Sequence, residues 1–249
     1  IWLSDLFFHP WNEAAFSFDS GAIDSVVQNS IFTRNFVDVK FQVGASGNAW
    51  IYNYQRRAGV DECHVASTSG SGNGGQERAI FFHGLANETL IEGNDTGCSI
   101  EMDQFWGPQA YRNTLYRNRA GLMASDPNAR DYGIVTEIGD SAEPVAFQPN
   151  FMLNVASSFH TKFGNTAIDN VNSSVPSQGM WFERNLTVGQ LKLLPRADTT
   201  RANNLSGVAS AATAWSGFAA PASLIYVGNK PAWWLAAPWP GIGADVDVI

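Results

Sequence analysis

An apolar lead closed by Asn is written repeatedly in this chain, and a chain that copies itself at a regular distance stacks its copies. Three copies end in Arg-Asn: Ile31-Phe32-Thr33-Arg34-Asn35, Thr114-Leu115-Tyr116-Arg117-Asn118 and Trp181-Phe182-Glu183-Arg184-Asn185. Weaker copies run through 52–59, 90–97 and 150–154, and Trp11-Asn12 closes an earlier one. Aligned on their last residue, the copies fall at 12, 35, 56, 94, 118, 154 and 185. Three of the steps between them lie near 22 residues. The longer steps hold the stretches 67–77, 124–133 and 163–179, whose Gly, Ser, Asn, Asp and Pro mark loops inserted between copies.

Two stacked architectures fit that period. Leucine-rich repeats require a spaced leucine pattern that this chain lacks. The other is a parallel β-helix with about three short strands per coil. The runs 26–43 and 79–94 suit it: short β-branched and aromatic segments broken by Asn, Arg and Asp. Successive coils then lie about 4.8 Å apart, and equivalent residues form ladders. Asn suits a coil corner because it tolerates left-handed backbone, and its amide can bond to the copies above and below. Phe32, Leu115 and Phe182, three residues before each Asn, are expected to point into the core.

Composition narrows the partners. Charged residues are 15% of the 249, with lysine only at 40, 162, 192 and 230, so the surface vocabulary of long helices is thin. A net charge of −8 argues against duplex nucleic acid, which needs clustered Lys and Arg. It argues equally against an anionic membrane surface. No continuous apolar stretch reaches 18 residues, so no membrane span is expected. The opening "IWLSDLFF" reads as the middle of a strand, which points to processing, trimming or an incomplete N-terminus.

The stretch "PASLIYVGNKPAWWLAAPWPGIGADV" (221–246) carries Lys-Pro-x-Trp-Trp, then Pro-Trp-Pro, then Ile-Gly-x-Asp-Val. It resembles the ending of right-handed parallel β-helix proteins secreted by bacteria, in an uncharacterised subgroup of the pectate-lyase-like superfamily. The resemblance implies an all-β, right-handed parallel β-helix (β-solenoid), an extracellular or cell-surface location, and a polysaccharide partner. The chain departs from the superfamily's enzymes. It has neither Asn-Thr-Asp nor Gly-His-Gly, "FFHGLA" (81–86) holds His-Gly in other surroundings, and no acidic calcium cluster can be placed. No catalytic residue therefore carries over. The coils are expected over 1–195, and 196–249 is expected to wrap the same domain as a cap. In that cap Trp233, Trp234, Trp239, Pro231, Pro238 and Pro240 form a plug that hides an open strand edge.

Tyr116, Arg117, Glu183 and Arg184 occupy equivalent repeat positions, and Trp106 and Tyr111 stand in the neighbouring loop 103–113. Facing outward, these six form a stripe of aromatic, acidic and basic groups suited to a linear polysaccharide. The plainer reading of the same stripe is a solvated face with weak ion pairs. Hydrolysis needs paired carboxylates about 5–10 Å apart, and Glu101 with Asp103 or Glu137 with Asp140 are the candidates. Asp61, Glu62, Cys63 and His64 are adjacent, and adjacent residues cannot all converge on one ion, so a surface loop is expected there. His9, His83 and His160 stand alone. No metal site or cofactor is expected. Cys63 and Cys98 either close a loop of about 35 residues, contributing roughly 4 kcal/mol, or are two buried thiols. Sequons lie at Asn87, Asn94, Asn172, Asn185 and Asn204. The functional expectation is an extracellular carbohydrate-interacting protein, with lyase or hydrolase as the reaction class. The alternative is a non-enzymatic subunit of a filament, appendage or surface assembly, in which self-assembly or a partner covers the first coil.

Overall fold

Short aromatic and β-branched runs, each broken after two to five residues by a polar corner, become strands too short to stand alone. They gain stability by stacking on their copies. The structure, a computed structural model, describes residues 1–8, 15–33, 37–42, 44–56, 78–82, 86–102, 112–121, 133–138, 150–156, 159–163, 181–187, 191–192, 200–206, 215, 218–235 and 238–246. The strands form three sheets, and every pairing is parallel.

Sheet A stacks Trp2–Ser4, Val26–Gln28, Ala49–Ile51, Leu90–Glu92, Thr114–Tyr116, Asn150–Met152, Trp181–Glu183 and Thr200–Ala202. Sheet B stacks Phe7–Phe8, Ile31–Thr33, Tyr54–Arg56, Asp95–Thr96, Arg119–Ala120, Val155–Ala156, Leu186–Thr187 and Leu205–Ser206. Sheet C stacks Phe16–Phe18, Val37–Phe41, Arg78–Phe82, Ser99–Met102, Ile134–Ile138, Phe159–Phe163 and Leu191–Lys192. The chain visits A, B and C in turn, and each strand pairs with the one three strands later. That connectivity is consistent with the expected parallel β-helix. One visit to the three sheets is called a rung below. The last pair of strands, ending at Ser206, continues sheets A and B past the expected boundary at 195.

Between the sheets lies the core. The central residues of five consecutive sheet A strands point inward, so Val27, Trp50, Ile91, Leu115 and Phe151 stack in register. Sheet C supplies Phe18, Phe41 and Phe82, whose successive ring centroids are 4.8 Å apart. Sheet B supplies Phe32 at the same depth. Leu115 and Phe32 thus point inward as expected, while the side chain of Phe182 lies outside the described residues.

The Asn ladder runs at the corner between sheets A and B. Asn53, Asn94, Asn118, Asn154, Asn185 and Asn204 follow one another rung by rung. From Asn94 onward each Oδ1 accepts the backbone N–H of the Asn one rung earlier, at 3.1 Å for Asn94 onto Asn118 and 3.0 Å for Asn118 onto Asn154, while the Oδ1 of Asn53 accepts the Ser30 N–H. The Nδ2 of Asn118 donates to the carbonyl of Ile91 at 2.9 Å and to the Oδ1 of Asn154 at 3.0 Å. The sequons at Asn94 and Asn185 are therefore ladder positions with buried, hydrogen-bonded amides.

Two details of the alignment are corrected. The rung positions before Asn94 are Ser30 and Asn53, not Asn35 and Arg56, because Ile31–Thr33 belongs to sheet B whereas Thr114–Tyr116 belongs to sheet A. The left-handed residue is also not the Asn but the residue before it. Asn29, Tyr52, Gly93, Arg117, Leu153, Arg184 and Asn203 all have φ between 46° and 66°. That residue turns the chain, which leaves the following Asn amide aimed along the stack. A second corner precedes sheet A, with left-handed Asp24, Gly47, Glu88 and Arg112 followed by Ser25, Asn48, Thr89 and Asn113.

Candidate functional site

The outer face of sheet A is where the sequence candidates meet. Residues one and three of the strands from Val26–Gln28 to Asn150–Met152 point away from the core, and the left-handed corner residue stands beside them. The third positions read Gln28, Ile51, Glu92, Tyr116, Met152 and Glu183 in one column. The neighbouring corners carry Tyr52, Gly93, Arg117, Leu153 and Arg184. Tyr116, Arg117, Glu183 and Arg184 are therefore brought together on one face. Trp106 and Tyr111 lie outside the described residues.

This face is not bare, because residues 221–235 and 238–246 lie across it. The segment enters over the fifth rung, where the Pro221 carbonyl accepts the Tyr116 hydroxyl and the Arg117 Nε, the latter at 3.1 Å. It then descends. The Leu224 N–H donates to Glu92 Oε2 at 3.0 Å, and the Tyr226 hydroxyl donates to Gln28 Oε1. Around Tyr52 it deposits Tyr226, Trp233, Trp234 and Trp239, with ring centroids 5.1–6.0 Å from the phenol. Finally it returns. The Ala244 N–H donates to the Leu153 carbonyl at 2.8 Å, and the Asp245 carboxylate takes both terminal nitrogens of Arg117, at 2.8 Å for the Nη2 pair. Gly243 passes so close to Arg117 that a Cβ there would overlap the guanidinium, and its φ of 145° disfavours other residues besides. The Trp residues expected to cap an end, Trp233, Trp234 and Trp239, thus pack against the side of sheet A in the described contacts.

Burial sets the electrostatics. Tyr116 and Arg117 are 1% and 2% exposed, and Glu92 is fully buried. Burial pushes the Glu92 carboxyl above its ordinary range, only partly offset by Ser223, Tyr52, the Leu224 amide and the Arg117 charge. Tyr52 and Tyr116 are raised for the same first reason, Tyr52 further by its contact with Glu92. Burial opposes the Arg117 charge, but the bonds and charge of Asp245 outweigh it and hold the guanidinium above its usual value. Higher on the face, Glu183 pairs with Arg184, and the Arg184 guanidinium lies 3.7 Å over the Phe218 ring.

Of the carboxylate pairs, Glu101 is buried and Asp103 and Asp140 lie outside the described residues, as does the side chain of Glu137. Asp61, Glu62, Cys63, His64, His9, His83 and the His160 side chain are also outside them. Cys98 is buried and disulfide-bonded. Among the described residues no three His, Cys, Asp or Glu gather as metal ligands, and no helix is long and apolar enough to cross a membrane. Sequence reasoning missed Tyr52, Glu92, Ser223 and Asp245. Glu92 stands in the Tyr116 place of "LIEGN" against "TLYRN", so the repeat alignment held the signal. Nothing local marks Asp245 as the partner of a residue 128 positions away.

No family model, curated protein or solved structure matches this chain.

Proposed function

We propose that this is an exported, right-handed parallel β-helix protein of the pectate-lyase-like kind, and that it contacts polysaccharide along the sheet A side. One observation carries the reading: that face gathers amide, carboxylate, phenol and guanidinium groups at Gln28, Glu92, Tyr116 and Arg117, beneath the chain's own cover, and at the partly exposed Glu183 and Arg184. Sugars are gripped by hydrogen-bonding groups set among flat apolar rings, and this column offers both. Export is supported by the disulfide at Cys98, since such bonds persist in oxidising compartments. The chain's own segment 221–246 serves as cover for the face rather than as an end plug. Whether the bound polymer is also cleaved follows from a reducing-sugar and an unsaturated-uronate assay.

Glycan arrays and affinity electrophoresis in gels cast with soluble polysaccharides test the binding. Retardation by at least one polymer, weakened when Glu183 and Arg184 are both changed to Gln, is the expected result. No retardation by any polymer, acidic or neutral, overturns the reading.

A second reading, a non-enzymatic subunit of a filament, appendage or surface assembly, is favoured by one feature. Ile23 and Ile31 are exposed apolar side chains on the outside of the coil. Concentration-dependent growth in sedimentation velocity would support it, and a monomer at every concentration would count against it.

A further inference from the structure

Residues 221–246 are fastened in an unusual way. One guanidinium, that of Arg117, holds both ends of the segment: Pro221 by its Nε and Asp245 by its two terminal nitrogens. Between those points the polar anchors join groups of the face to the segment: Tyr116 to the Pro221 carbonyl, Glu92 to the Leu224 amide, Gln28 to the Tyr226 hydroxyl. The surface beneath differs from the true core. Among the described residues the buried inward side chains of sheet A are Val27, Trp50, Ile91, Leu115 and Phe151, without a charge among them. The covered outward positions include a carboxylate, a guanidinium, two phenols and an amide. Polar groups of this kind are solvated at no penalty when open to water, and stay covered only while each finds its partner.

We infer that residues 221–246 are a strap that leaves the face as a unit with Arg117 as its clasp, and that its release uncovers Tyr52, Glu92, Tyr116 and Arg117 as one surface for a carbohydrate chain. The identity of that ligand rests on the polysaccharide reading above; the strap does not. The geometry defines the opening step. Breaking the Arg117–Asp245 pair leaves the 243–245 end held by the Ala244–Leu153 bond and the packing of Ala244 on Val155 and Leu186, and the same guanidinium then has only Pro221 to hold. The ring cluster over Tyr52 is a further anchor beside the bonds of Leu224, Tyr226 and Ala244, and its four strap rings are only half-buried. A carbohydrate that takes Arg117 and Tyr116 competes directly with Asp245 and Pro221, so ligand and strap exclude one another.

Hydrogen exchange on the full chain reads the strap without any ligand. The amides of Leu224 and Ala244, bonded to Glu92 and Leu153, are expected to exchange at least tenfold faster than those of Asn94, Asn118 and Asn154, which are bonded within the ladder. Asp245→Asn and Asp245→Ala should each speed the two strap amides a further tenfold and leave the ladder amides unchanged. Equal exchange of both groups, in the natural chain and in both variants, overturns the strap. Binding of polygalacturonate and of a neutral glucan by Asp245→Ala, compared with the natural chain, reads the ligand. Tighter binding by the variant supports the whole proposal. Strap opening with no binding by either protein removes the carbohydrate reading and keeps the strap. Equal binding by both, without opening, does the reverse.

Discussion

At the scale of single residues, the ladder amides and the left-handed corners have different jobs, and substitution should separate them. Asn118 accepts from the Asn94 N–H and Nδ2 and donates to Ile91 and Asn154, all in the buried interior. Asn118→Ala leaves several of these groups without partners, at about 1–3 kcal/mol each, so a loss of roughly 3 kcal/mol or more is expected in urea unfolding. Asn204→Ala, at the half-exposed end of the ladder, should cost about 1 kcal/mol, because water can replace its amide. Equal losses would mean that the ladder is ornament. Gly93 tests the corner. Its φ is 66°, and a Cβ there would run into the Tyr52 ring, which is itself bonded to Glu92. Gly93→Ala should therefore destabilise by about 2 kcal/mol or more and change Tyr52 fluorescence, whereas an unshifted spectrum and stability would remove the Tyr52–Glu92 contact from the account. These residues also show what was readable. Asn94, Asn118, Asn154 and Asn185 were legible because the residue type repeats with an apolar strand three places ahead. Ser30 was not, because its hydroxyl does the corner work by other bonds, to the Gln28 carbonyl and the Leu6 amide. Asn35 imitated a ladder residue only because a sheet B strand happens to precede it.

At the scale of elements, the sheet A strands from Val26–Gln28 to Asn150–Met152 each have one inward side chain and two outward ones, so the sheet has an apolar side and a side whose fate depends on its cover. The inward side was legible from the apolar lead of each repeat. The cover was not, since a contact between Arg117 and Asp245 is written nowhere in local spacing. Tyr116 and Arg117 were readable as a chemically distinct pair, and the structure adds that their partners come from this chain's own tail. The clasp has a directional expectation. Arg117→Lys keeps the charge but loses the two-pronged grip on Asp245 and the Nε bond to Pro221, inside a site where Arg117 is 2% exposed. It should lower stability by about 2–4 kcal/mol. Asp245→Asn, whose side chain is 21% exposed, keeps an acceptor and can hydrate, so its cost should be smaller, about 1–2 kcal/mol. Differential scanning calorimetry of the two variants ranks them, and an Asp245→Asn loss equal to or above that of Arg117→Lys would show that Arg117 is not the hub of the strap.

At the scale of the whole molecule, an acidic chain with a net charge of −8 buries the Glu92 and Glu101 carboxyls completely among the described residues, and the burial of Glu92 should be visible in its pH dependence. Glu92 is faced by Tyr52 from its own sheet, by Ser223 and the Leu224 amide from the strap, and by the Arg117 guanidinium, with Tyr116 and Asp245 behind. Burial outweighs these partners and raises its folded-state pKa. The folded protein therefore holds this proton more tightly than the unfolded chain does. By linkage, the stabilisation is fully present below the ordinary glutamate range near 4.3 and is lost as pH rises through the raised value. This slope runs opposite to that of an ion-paired surface carboxylate, whose stabilisation is lost on acidification. Arg117 adds no slope in this window, because it stays charged throughout. Glu92→Gln supplies a permanently neutral group of nearly the same shape. It should match the natural chain at the acid end of the window and exceed it in urea midpoint at pH 8, with the gap opening across the raised pKa. The same titration followed by exchange of the Leu224 amide should show the strap loosening with rising pH in the natural chain and staying flat in Glu92→Gln. A gap between the two proteins that is constant from acid to pH 8 would mean that Glu92 is ionised under the strap, with Arg117 rather than a proton compensating its burial.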